Sequence, residues 1–309
     1  MPRLTGFLPL ALLASMCLAL AACGGGGGEK GPEITVIDQN ILHGLLDEDP
    51  GDEPFDRIAE RIELFADGVR VAEPDIILMQ ELNTFGGDYT DIKAIVLEAL
   101  GPEYEAVFGN LAGEPIDKPG IGQMTFTRLP IVSSGNHDID SKGRNVLRVT
   151  VQSAEGPIDL YNVHLNGTAF DDPQPSVDEI SLVMDFIDDT RSGGPVIIAG
   201  DFNAAPDEPS IRTLLEAGYV DVLAEAGDAT CEKAGDPGCT NSTIPLGDNP
   251  DALADHRIDY IFVLDGADVS LEPEEAELFL NQPVDIGGGH TLWTSDHIGV
   301  KVVLRLRSK

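Results

Sequence analysis

The chain predicts an α+β fold, a four-layer α/β/β/α sandwich in which two mixed β-sheets pack face to face with helices outside. Three observations point there. The runs Asp75–Met79 and Val196–Ala199 are short and apolar, as strands buried on both faces are. Phe55–Val71 and Val177–Thr190 repeat apolar residues at helical spacing. Between them stands a β-rich middle whose short segments are joined by Gly, Asn and Pro turns.

In chain order, residues 1–22 carry Arg3, an apolar run from Phe7 to Leu20, and small residues before Cys23. A short charged region, an apolar region too short for a comfortable membrane span and a cleavage site predict a secretory signal. Leu20-Ala21-Ala22-Cys23 resembles the lipobox of bacterial lipoproteins, in which the Cys is acylated and becomes the first residue. The plainer alternative is an ordinary signal peptide with a stray Cys. Residues 23–32, with Gly24–Gly28 at their head, then form a flexible tether. Eight such residues reach only about 15 Å, which would hold the domain close to its membrane. The protein is therefore expected to be exported and lipid-anchored to the cell envelope, on its periplasmic or cell-surface side.

Residues 33–309, about 275 in all, are enough for one large domain. Loss of Arg3 with the leader takes the net charge from −35 to −36. A field of that sign repels polyanions, so strong nucleic-acid binding is not expected. Solubility in a salty exterior accounts for the same acidity. Cys17 leaves with the leader and Cys23 is the anchor. Cys231 and Cys239 remain in a Gly/Pro/Asp loop, and an exported compartment permits a disulfide between them. A metal pair would want nearby His or Cys partners, and that loop has none.

Ile34–Ile37 alternates into a first strand with Asn40 just past its end. The helix Phe55–Val71 has apolar residues at 55, 58, 62, 65 and 69 and is stopped by Pro74. Strand Asp75–Met79 delivers Gln80-Glu81, and helix Ile92–Leu100 is closed by Gly101-Pro102. Tyr104–Phe108, Gly122–Thr127, Ile131–Asp138, Asn145–Gln152 and Ile158–His164 predict an antiparallel stretch. Gly200 ends the strand of Val196–Ala199, and Asp201 and Asn203 stand at its carboxyl end, where open sheets carry their sites. Pro206-Asp207-Glu208 leads into a short helix. Ile258–Leu264 and His297–Leu304 are the last strands.

Asn40, Glu81, His164, Asp201, Asn203, Asp259, Asp296 and His297 thus stand at or beyond strand ends in six separate segments. In this order, Asn40, Gln80-Glu81, Asn162-Val163-His164-Leu165, Gly200-Asp201-Phe202-Asn203, Arg257-Ile258-Asp259-Tyr260 and Ser295-Asp296-His297 resemble the endonuclease/exonuclease/phosphatase superfamily. The resemblance covers essentially the whole mature chain. It implies a metal-dependent phosphoesterase, with Mg²⁺ as the cofactor and Mn²⁺ able to replace it. A hard divalent ion takes oxygen ligands and keeps several waters, so one or two carboxylates suffice.

The resemblance implies Glu81 as the metal ligand, with Asn40 assisting and Asp296 sharing metal binding or serving structure. It implies Asp201 as the residue that orients or deprotonates the attacking water, and Asn203 as a donor to the phosphoryl oxygens. His297 would contact the phosphoryl group, with Asp259 fixing its ring and raising its pKa. His164 would protonate the leaving oxygen or clamp the phosphate. Arg128 matches a family Arg near the substrate, and a structural role for it is equally open. His164 as a hydrogen-bonded core residue and Asp259 paired with Arg257 are the plain alternatives. His43, His137, His256 and His290 fit surface or turn roles.

Abasic-site nucleases place a tyrosine segment where His164 stands, and inositol-polyphosphate phosphatases carry Trp-Cys-Asp-Arg near the position of Asp259. Secreted sphingomyelinases add an aromatic membrane-dipping hairpin, whereas aromatic residues are sparse here and Trp293 is the only Trp. The expected protein is a monomeric phosphoesterase acting on a phosphodiester or phosphomonoester of a small or lipid-headgroup substrate. A surface-anchored nuclease and a non-catalytic binding protein on the same fold remain the alternatives.

Overall fold

The computed structural model describes residues 31–42, 57–84, 92–113, 115–139, 143–166, 174–242 and 251–309. The leader, Cys23, the tether up to Lys30, His43 and Phe55 lie outside the described residues. In order, the elements are β1 (Glu33–Asn40), α1 (Ile58–Ala72), β2 (Ile76–Asn83), α2 (Ile92–Leu100), β3 (Glu105–Asn110), β4 (Ile121–Thr127), β5 (Ile131–Asp138) and β6 (Asn145–Ser153). They continue with β7 (Gly156–His164), α3 (Gln174–Thr190), β8 (Val196–Asp201), α4 (Pro209–Glu216), β9 (Val220–Asp221) and α5 (Val222–Ala226). The last are β10 (Asp259–Leu264), β11 (Val269–Phe279), β12 (Val284–Gly287), β13 (His290–Leu292) and β14 (Gly299–Ser308). Gly31–Lys309 form one compact unit. Its first residues are already fastened: the Leu306 N–H donates to the Pro32 carbonyl.

One sheet has the order β11-β14-β1-β2-β4-β3 and the other β5-β6-β7-β8-β10-β9. The two orders superpose as a repeat, β1 answering to β7, β2 to β8 and β4 to β10. Each half centres on a parallel pair, β1 with β2 and β7 with β8, joined through α1 or α3. The sequence shows no trace of this duplication. Its consequence is chemical: two parallel pairs present four carboxyl ends, and packing the sheets brings those ends to one rim.

The interior alternates as pleated strands require. Ile34 and Val36 of β1, Ile76 and Leu78 of β2, Ile158 and Leu160 of β7, and Ile197 and Ala199 of β8 meet in the dry layer between the sheets. The opposite faces carry the helices: Ile62, Phe65 and Val69 of α1 cover Ile37 and Ile77, while Ile180, Val183 and Ile187 of α3 cover Tyr161 and Ile198. Each such aliphatic burial contributes roughly 1.5–3 kcal/mol. Helix α1 ends where Glu73 turns left-handed (φ 46°) and gives its N–H to Val69, and Pro74 cannot continue the helix.

Toward the rim the inward positions turn polar. The next inward residues after Val36, Leu78 and Leu160 are Asp38, Gln80 and Asn162, all fully buried. Gln80 Nε2 donates to Asp38 Oδ1 at 2.8 Å and, across the sheets, to Asn162 Oδ1 at 2.9 Å. Asn162 Nδ2 donates in turn to the Met79 and Met124 carbonyls, at 3.0 Å each. This layer is the floor of the site.

Candidate active site

Across the second sheet, His164, Asp201 and Asp259 are register partners on β7, β8 and β10. Strand direction explains the alignment. β7 and β8 are parallel and end there, and antiparallel β10 begins there. Gly200 does not end the strand, which runs on to Asp201, but allows β7 to approach closely: its φ is 146°, and a Cβ there would meet the Val163 carbonyl oxygen at 1.9 Å. Past the strand, Asn203 adopts φ 48°, its N–H donates to Asp201 Oδ1 at 2.8 Å, and its Nδ2 donates to the Leu165 carbonyl at 3.1 Å.

The first sheet contributes Asn40 and Glu81. A register shift between Met79 and Leu82 breaks the pairing of β2 with β4, and Glu81 sits inside it with φ 61°. Such a bulge re-aims a side chain, and a positive φ outside glycine is strain kept where the surroundings enforce it. Asn40 Nδ2 donates to Glu81 Oε1 at 3.1 Å and to Asp201 Oδ2 at 3.2 Å, so one amide joins carboxylates of both sheets. Asn40 Oδ1 accepts the Leu42 N–H at 3.0 Å.

His297 enters just before β14. Its Nδ1 lies 2.9 and 3.0 Å from the two Asp259 oxygens, and its Nε2 lies 3.8 Å from Asp201 Oδ2. His164 Nε2 is 3.6 Å from the same oxygen. Arg257 does not compete for Asp259, because its Nη2 is held by both oxygens of Asp221 at 2.6 and 2.7 Å.

These neighbours set the charges. Burial pushes the Asp201 carboxyl up to about 7, with Asp259 and Glu81 adding and His297 and the Asn203 N–H opposing. Burial alone would discharge His297, but the adjoining Asp259 and Asp201 carboxylates outweigh it and hold the imidazole well above its ordinary value. Burial, then Asp259, raises Asp38 in the floor well above the carboxylate range.

A cleft of about 370 Å³ opens over these groups, lined by Glu81, Leu111, Ile121, Arg144, His164, Asp201, Asn203 and His297. Arg144 brings the guanidinium to this lining, and sequence reasoning missed it. Arg128 lies elsewhere. It follows β4, whose Thr127 pairs with Ile76 at the start of β2, and it bonds to the Glu73 carbonyl and, at 3.3 Å, to Asp75 Oδ1. Five residue steps of strand, about 17 Å, separate that end from Glu81. Asp296 is half-buried beside the cleft, where Ser295 Oγ donates to its Oδ1 at 3.1 Å. Exposed His137 stacks on Phe186 at 4.7 Å, His256 pairs with Asp255 at 2.8 Å, and exposed His290 lies on β13.

Ligand atoms of Asp201, Asp259 and His297 lie within 4.8 Å of one another, the one such group among the described residues. The Asp259 oxygens are committed to the imidazole and Asn40 Oδ1 to the Leu42 N–H, which leaves the Glu81 and Asp201 carboxylates at the cleft as the oxygen donors. An all-oxygen set of this kind fits a hard divalent ion.

Two sheets that share one rim of carboxylate, amide and imidazole groups define the phosphoesterase and nuclease sandwich. The chain belongs to the Endonuclease/Exonuclease/phosphatase family, whose model matches residues 39–297. Members of that family are hydrolases acting on phosphoesters. No curated protein matches the chain in sequence. Among solved structures, a mannosyl-6-phosphatase of Bacteroides thetaiotaomicron is 20% identical, with a TM-score of 0.67 over 88% of this chain and 99% of its own. A second family protein of that organism is 21% identical, with a TM-score of 0.68 over 89% and 98%. A humanized TDP2 of D. rerio is 19% identical, with a TM-score of 0.65 over 88% and 98%. At these identities the likeness is one of fold.

Proposed function

We propose that this chain is an exported, Mg²⁺-dependent hydrolase of a small or headgroup phosphoester. The observation that carries this reading is the His164–Asp201–Asp259 row, with His297, Asn40 and Glu81 closing on it from the other sheet. Glu81, oriented by the Asn40 amide N–H, would hold the ion. A divalent ion there supplies neutralisation of phosphoryl charge and loses little to the protein's acidity.

The chain's own groups do the rest. Asp201 orients the attacking water and takes its proton, a task suited to a carboxyl poised near 7. Protonated His297, braced by Asp259, presents Nε2 to a phosphoryl oxygen. Asn203 keeps one amide N–H for the same group after bonding Leu165. His164 gives its proton to the leaving oxygen. Arg144 recognises the phosphoryl group from the cleft wall.

One Arg in a small cleft suits a single phosphoryl group rather than a tracked polyanion, since duplex binding needs several cations to displace counterions. The fold likeness to a mannosyl-6-phosphatase supports testing sugar phosphates first. The expected result is a higher kcat/KM for a sugar phosphate, a small phosphodiester or a phospholipid headgroup than for plasmid DNA at matched Mg²⁺. Preference for plasmid DNA would make this a surface nuclease instead. The anchor is tested apart: Cys23→Ser should move the protein from the membrane fraction to the soluble one, and its retention in the membrane would overturn the lipoprotein reading. Among the described residues no helix is long and apolar enough to cross a membrane.

A further inference from the structure

His297 and Asp259 approach from different sheets, and β10 and β14 are not neighbours in either. What spans the gap is the segment Cys239-Thr240-Asn241. Thr240 is fully buried, and its Oγ1 accepts the N–H of Ile258 and of Asp259 itself, both at 3.1 Å. Its carbonyl accepts the Ile298 N–H at 2.6 Å, and its own N–H goes to His256 at 2.7 Å. Asn241 makes isolated bridges to both His256 and His297, and its Nδ2 donates to the Asp296 carbonyl at 3.4 Å. The backbone on either side of His297 and the backbone of Asp259 are therefore fastened to the same two residues.

The segment is itself fixed at one end. Cys239 is fully buried, packs with Ala252, Ala254, Trp293 and Ile298, and forms the disulfide with Cys231. We propose that Cys239-Thr240-Asn241, clamped by the Cys231–Cys239 bond, is a strap that sets the His297–Asp259 distance, with Thr240 as the positioning residue. Thr240 touches no reacting atom. It acts by fixing where two side chains from separate sheets meet, and a misplacement of that kind can cost about 100-fold in rate.

The test compares Thr240→Val, which keeps the shape and loses the acceptor, with Thr240→Ser, which keeps the acceptor, and with the Cys231→Ala/Cys239→Ala double variant. The turnover arm rests on the phosphoesterase reading; a second arm does not. That second arm is the Nδ1–H resonance of His297 in ¹⁵N-histidine-labelled protein, which reports the bond to Asp259 whether or not a substrate is found. Thr240→Val and the double variant should lower kcat about 10- to 100-fold with KM little changed, and should broaden or abolish that resonance. Thr240→Ser should restore both. A sharp wild-type resonance in Thr240→Val overturns the strap. The same in the double variant overturns the clamping role of the disulfide. If the wild type turns over no phosphoester, the functional reading fails and the resonance still decides this one.

Discussion

Asn40 Nδ2 reaches Glu81 of its own sheet and Asp201 of the facing sheet, at 3.1 and 3.2 Å. That amide is the seam along which two sheets become one site. It bridges two carboxylates with a neutral donor, which offsets part of the repulsion by which Glu81 helps to raise Asp201. It also divides their work, since Glu81 faces the cleft half-buried while Asp201 lies nearly sealed.

The oxygen donors predict metal dependence. Chelation should abolish turnover, and Mg²⁺ or Mn²⁺ should restore it. Loss of even an outer partner of a metal typically costs 10- to 100-fold in affinity, so Glu81→Gln should weaken Mg²⁺ activation by about 100-fold or more. Its circular dichroism should match the wild type, because Glu81 already sits in a bulge. Full activity of the variant in chelator would exclude the role.

Asp259→Asn tests the imidazole pair. The variant keeps the side chain's shape and removes the charge that outweighs burial at His297. The histidine pKa should fall, so the alkaline limb of the kcat/KM profile should move to lower pH. Loss of one preorganised charged donor is worth about 100-fold in kcat. An unmoved alkaline limb would show that another group titrates there.

Asp201 carries a cost in stability. Its folded pKa is about 7 against an ordinary carboxyl value of 3.8, so the unfolded chain gives up this proton first as pH rises. The stabilisation is therefore complete below pH 4 and is lost between pH 4 and 7. In chelator, Asp201→Asn should match the wild type in Tm at pH 4 and exceed it at pH 8, and Mg²⁺ should restore turnover to the wild type alone. Scanning calorimetry at the two pH values checks the crossover.

Much of this site was legible because its residues follow apolar runs. Asp201 and His164 stand where the runs end, and Asp259 where one begins. The two-sheet sandwich with helices outside followed from those runs and from the helical spacing at Ile62, Phe65 and Val69. Strand β11 was not legible. Glu272-Pro273-Glu274-Glu275 interrupts it with a bulge between Pro273 and Glu275, and an edge strand tolerates the proline, since its outer N–H groups need no ladder partner. Thr240 could be read only for the neighbouring cysteine, because its value lies in contacts with residues 18 and 19 positions away.

The arginines show a different blindness, and they give the last test. A residue just past a strand reaches the site only if that strand points toward it. β4 runs antiparallel to β2, so its last residues fall at the far end and Arg128 is spent on Asp75 and the Glu73 carbonyl. β6 runs antiparallel to β7, so its first residues fall beside His164, and Arg144, just before β6, lines the cleft without any pattern to announce it. The two should therefore separate experimentally. Arg144→Ala should lower kcat/KM for the small phosphoester by about 10- to 100-fold, the loss of a charge-assisted bond of roughly 1.5–3 kcal/mol, with Tm little changed. Arg128→Ala should leave kcat/KM within a factor of about two and instead lower Tm, through lost packing on Tyr104 and the Glu73 carbonyl. The reverse pattern would put the substrate at the other end of the sandwich.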